Sequence, residues 1–189
     1  MVHQTSPTIN KFEKLLSVVK EGKLYEVRTL LDKGTDVNSQ DIHGRTFLMW
    51  ASSNGHKDIV QLLIEKGAHL DIQDNDGWTA LMLASYKGHK YIAQLLYDYG
   101  AILDIQNKWG WTALMLARCE GHKHIAQLLI DEGAETRILN SNGDAARDCA
   151  ERKGHREILD LFDNASELIY NCYRFSFRCI TYVSTDWIF

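Results

Sequence analysis

The stretch Asp74–Gln106, DNDGWTALMLASYKGHKYIAQLLYDYGAILDIQ, decides the fold of this 189-residue chain. Moved 33 residues back onto Asp41–Gln73 it matches at 20 positions, and moved 33 forward onto Asn107–Leu139 it matches at 20 again. Identity at a fixed period of this length marks a stack of similar units, each covering the apolar face of the next. Three glycine series keep the same beat: Gly44, Gly77, Gly110 and Gly143; Gly55, Gly88, Gly121 and Gly154; Gly34, Gly67, Gly100 and Gly133.

Each middle unit follows one local grammar. Asp41, Asp74 and Asn107 open a turn, because an Asx side chain bonds the backbone two residues on. Thr46, Thr79 and Thr112 stand where a helix needs an N-cap, ahead of the short apolar runs FLMWASS, ALMLASY and ALMLARC. A Gly-His pair then turns the chain into a second helix with an apolar stripe, such as Ile92, Ala93, Leu95 and Leu96. The spacing predicts helix pairs near 45–53 and 58–66, 78–86 and 91–99, and 111–119 and 124–132.

This grammar resembles the ankyrin repeat, whose pattern runs D-x-x-G-x-T-P-L-H-x-A, then G-H, a leucine-rich second helix and G-A-D-x-N. The matching pieces are DIHGRTFLMWA, DNDGWTALMLA and NKWGWTALMLA, with GHKDIVQLLIEKGA and its echoes after them. Phe47, Ala80 and Ala113 replace the family's proline, and Met49, Met82 and Met115 replace its histidine. Neither change threatens the fold: proline only pre-sets a dihedral at the first helical position, and methionine fills the vacated space. The resemblance implies an all-α solenoid of helix–turn–helix units with short hairpin-like fingers. It covers a domain at 8–163, divided into units 8–40, 41–73, 74–106, 107–139 and 140–163.

The end units differ from the middle ones. In the first, Lys11 occupies the place of the fingertip glycine, and the polar Lys11, Glu13, Lys14 and Lys20 suit a cap with a neighbour on one side only. In the last, Arg147 replaces Leu48, Leu81 and Leu114, which is tolerable where no further unit covers that face. A second helix there is expected around Ile158, Leu159, Leu161 and Phe162. From 164 to 189 the register is lost, and an aromatic tail follows in which Tyr173, Phe175 and Phe177 alternate with polar residues. A loosely held tail is the expectation.

Composition excludes several functions. The net charge is −4, without a basic block for nucleic acid, and no run of 18 apolar residues inserts in a membrane. The start lacks a signal-peptide core, so a monomer in the cytoplasm is expected, with the nucleus open, and free thiols at all four cysteines. His56, His89, His122 and His155 stand one per layer. Helix axes are about 8–10 Å apart, so these rings cannot converge on one zinc. They are read instead as turn residues that satisfy backbone groups. No nucleophile motif, phosphate loop or carboxylate pair is present, so no catalysis, metal or cofactor is expected.

Candidate binding residues are those at which the units differ. The fingertip pairs are Ile42/His43, Asn75/Asp76 and Lys108/Trp109, and the pairs before the inter-helix glycine are Ser53/Asn54, Tyr86/Lys87 and Cys119/Glu120. In the ankyrin family these places line the concave face that holds protein partners. Arg45, Trp78 and Trp111 flank the same fingertips. For the two tryptophans two readings stand: an interface residue, or a cover for the base of the finger. The function expected is non-catalytic binding of a protein partner as scaffold or adaptor. The alternative is a regulatory or targeting fragment of a larger enzyme or channel.

Overall fold

The computed structural model of the chain describes residues 7–155. The helices are α1 (Pro7–Lys20), α2 (Leu24–Asp32), α3 (Phe47–Asn54), α4 (Lys57–Glu65), α5 (Ala80–Lys87), α6 (Lys90–Asp98), α7 (Ala113–Cys119), α8 (Lys123–Asp131) and α9 (Ala146–Lys153). They pack in two layers. The inner helices α1, α3, α5, α7 and α9 touch in series, as do the outer helices α2, α4, α6 and α8, and each inner helix from α1 to α7 packs on the outer helix that follows it. The expected all-α repeat solenoid is the fold observed. The second helix of the last unit and the 164–189 tail, with Cys172 and Cys179, lie outside the described residues.

The inner helices of the middle units begin two residues later than the apolar spacing predicts. The reason is the capping threonine, whose own backbone is extended: Thr46 sits at φ −85°, ψ 166°, and its hydroxyl accepts from the Met49 N–H at 3.3 Å. Thr79 and Thr112 cap α5 and α7 in the same way. Helical geometry can start only after such a cap. The substituted family positions fill the seams. Met49, Met82 and Met115 are buried, and Phe47 packs on Phe12 with ring centroids 5.0 Å apart and planes tilted by 39°.

The Gly-His pairs tie each unit to the one before. His56 Nε2 bonds the Lys20 carbonyl at 3.0 Å, His89 that of Ser53 at 3.1 Å, His122 that of Tyr86 at 3.0 Å and His155 that of Cys119 at 3.1 Å. A carbonyl only accepts, so Nε2 carries the proton in all four rings. The glycines make room for these rings. A Cβ on Gly88 would lie 2.6 Å from the His122 ring, and φ of 80° already disfavours any side chain there. One pair thus closes a helix, turns the chain and couples two layers.

The ends depart as their sequences suggest. The first unit has no finger, and α1 runs 14 residues where the other inner helices run 7 or 8. At the other end Ala145 replaces the capping threonine, and the Asp148 carboxylate instead accepts from the Ala145 N–H at 2.8 Å. Arg147 is exposed and pairs with Glu151 at 3.1 Å. One further departure lies inside an inner helix. At the position of the buried Ser52 and Ser85, the fourth unit places Arg118, fully buried in α7. Its burial pulls the guanidinium pKa down to about 10, while Cys149, Asp148 and Glu151 act in the opposite direction.

Candidate functional site

The fingers are built from one side chain each. Asp74 Oδ1 accepts from the Asp76 and Trp78 N–H groups at 2.9 Å, and Asn107 Oδ1 accepts from those of Trp109 and Trp111 at 3.0 Å. Asp41 does the same for His43 and Arg45. The tips are then laddered: Asn75 N donates to His43 O, Lys108 N to Asp76 O and Ser141 N to Trp109 O, at 2.9–3.0 Å. Backbones approach so closely that a Cβ on Gly77 would lie 2.9 Å from the Asn107 Cα. The result is a backbone-laddered row of tips, in which the Asn75 side-chain amide also donates to the Ile42 carbonyl at 3.2 Å.

These tips and the ends of the inner helices form one face. Ile42 is 89% exposed, Trp109 48% and Tyr86 36%, and His43, Asn75, Asp76, Lys87, Lys108 and Glu120 are exposed as well. Trp78 and Trp111 are only half-exposed and pack against the core, so they cover the base of their fingers. Trp78 also meets Tyr86 edge-on, centroids 5.7 Å apart, which joins a finger to the end of α5. Lys87 reaches back over the Tyr86 ring at 5.1 Å. Cys119 is half-buried, and burial pushes its thiol up, so it is not an activated nucleophile.

Arg45 is the best tethered of the set. Its Nε donates to Asp74 Oδ2 at 3.2 Å, and its guanidinium lies 5.3 Å from the centre of the Trp50 ring. Trp50 was missed as a candidate because it sits in an apolar run where the other units have Leu83 and Leu116. Those leucines are buried, whereas Trp50 is half-exposed, carries Lys20 Nζ 3.7 Å above its ring and donates from Nε1 to Asp41 Oδ2 at 3.0 Å. Three N–H groups therefore converge on Asp41. Burial works to raise its pKa, but donation from Arg45, Trp50 and His43 outweighs it, and the carboxyl titrates below its ordinary range.

Open grooves of about 240 to 400 Å³ lie along the N-termini of the outer helices. Their lining is the Gly-His-Lys turn of each unit in succession, so they follow from the packing of the seam. Among the described residues no three His, Cys, Asp or Glu side chains are grouped to hold a metal, and no helix is long and apolar enough to cross a membrane. Cys119 and Cys149 are free thiols.

Comparison with known families agrees with this architecture. A family model described as ankyrin repeats matches in three copies, over residues 15–106 and 99–168. No curated protein matches the chain.

Proposed function

The chain belongs to the ankyrin-repeat family, and from that premise we propose that it is a scaffold or adaptor that binds a protein partner on its concave face, the face lined by the fingers and the inner helices. Ankyrin repeats are generally protein–protein interaction modules, and proteins built from them are typically non-catalytic. One observation carries the finer reading. The apolar side chains that repeat from unit to unit, such as Leu48, Leu81 and Leu114, are buried in the seams, while the fingertip side chains that change from unit to unit are exposed. Tryptophan, tyrosine and arginine, the residue types enriched at interface hot spots, stand there as Trp109 on a tip, Tyr86 at the end of α5 and Arg45 at a finger base. The side chains assigned to recognition are Ile42, His43, Asn75, Asp76, Lys108 and Trp109 at the tips. Tyr86, Lys87, Cys119 and Glu120 add the inner-helix ends, and Arg45, Trp78 and Trp111 support them from the finger bases. We place the activity in the cytoplasm, with the nucleus as a second location, and assign the chain as a monomer.

Affinity capture with the full chain tests this reading. Partners recovered by wild-type protein and lost by Trp109→Ala support it. A partner held equally by both, and displaced instead by substitutions on the outer helices, overturns it.

A further inference from the structure

Resting on that reading of the face, we propose that the partner enters as an acidic segment bearing aromatic or aliphatic side chains. Asp41 spends both oxygens on the His43 and Arg45 N–H groups and the Trp50 indole. Asp74 spends both on Asp76, Trp78 and Arg45, and Asp144 holds Arg152. In the fourth unit the same position is Asn107, which builds the same turn without a charge. The exposed carboxylates left at the varied positions are Asp76 and Glu120.

The cations are differently placed. Lys20, Lys87, Lys108 and Lys153 are exposed and make no ion pair among the described residues. Lys20, Lys87 and Lys153 close inner helices, where a cation also suits the helix dipole. The dipole does not explain Lys108 on a fingertip, nor why Lys20 and Lys87 lie over the rings of Trp50 and Tyr86. An ammonium held beside an aromatic face offers two contacts to one ligand: a carboxylate for the charge and an apolar side chain for the ring. Trp50 and Tyr86 make that offer in successive units, and exposed Lys108 and Trp109 follow at the next fingertip, on a chain whose net charge is −4. A partner of acidic residues interleaved with apolar ones matches it. A basic segment would place cations against cations.

Panning the full chain against a phage-displayed library of random dodecapeptides tests the inference, with the triple variant Lys20→Glu, Lys87→Glu, Lys108→Glu and the variant Trp109→Ala as parallel baits. All four positions are exposed, and thermal melting checks that each bait is folded. The expected result is enrichment of net-negative peptides carrying aromatic or aliphatic residues. Their affinity falls on the order of tenfold between low and about 0.5 M salt, as screening requires, and the triple variant loses them. Enriched peptides that are neutral or basic yet depend on Trp109 overturn the acidic segment and leave the concave-face reading standing. Absence of enrichment, or enrichment indifferent to both baits, overturns the two together.

Discussion

The seams of the stack and the face of the fingers use the same 33-residue unit in opposite ways. In the seam between α5 and α7, Leu81, Met82, Leu114 and Met115 are nearly sealed from solvent, and each has its counterpart one period away. On the finger face, Asn75/Asp76 become Lys108/Trp109 one period later, while the hydrogen bonds beneath them are unchanged. A repeated apolar side chain therefore marks constraint by a neighbouring layer, and variation at an exposed fingertip marks a side chain that the turn beneath does not specify. Substitutions should separate the two regions by their readout.

The largest effect is expected in the seam. Leu81→Ala should cost about 2–5 kcal/mol, as buried leucine truncations do, read as a lowered urea midpoint. Gly88→Ala should follow: a left-handed alanine costs about 1–2 kcal/mol, and the new methyl must displace the His122 ring. His122→Ala should cost about 1 kcal/mol for its bond to the Tyr86 carbonyl. The double variant sharpens this point, because without the ring the added cost of Gly88→Ala should shrink toward the backbone term. Full additivity would show that ring and glycine act independently.

A smaller, pH-dependent effect is expected at the base of the first finger. Because the Asp41 pKa is lowered on folding, its stabilisation is complete above the unfolded aspartate range, about pH 4. It is lost as pH falls through the lower folded value. Asp41→Asn should keep the turn, as Asn107 does, but should forfeit the Trp50 indole bond and this acid-sensitive increment. Urea midpoints measured between pH 6 and pH 3 should fall less steeply for the variant than for wild type. The smallest stability effect belongs to Trp109→Ala, within about 0.5 kcal/mol, although it should weaken partner binding by about 1–2 kcal/mol.

Much of the fold was legible in the sequence because turn chemistry and packing repeat together. The phased glycines located every inter-helix turn from α2 onward among the described residues, and the threonines located the caps of α3, α5 and α7. The histidines were correctly read as backbone partners, but that they reach across to the preceding unit was not legible. A side chain's target one layer away leaves no mark in its own unit. Arg118 and Trp50 escaped for a related reason. Each replaces a residue inside a run that otherwise reads as packing, so only the structure tells that Arg118 is buried and Trp50 half-open with a lysine above it. Trp78 and Trp111 carried two readings in the sequence. Their contacts with the core show the covering role, and their exposed halves stay within the proposed binding face.

Hydroxyl-radical footprinting of the full chain, with and without a captured partner, tests the division between seam and face most directly. Tyr25 and Tyr91, 82% and 73% exposed at the starts of outer helices α2 and α6, serve as internal controls. The account predicts that partner binding slows oxidation at Ile42, Tyr86 and Trp109 and leaves Tyr25 and Tyr91 unchanged. Protection of Tyr25 and Tyr91, with Ile42, Tyr86 and Trp109 still oxidised at the free rate, would contradict it.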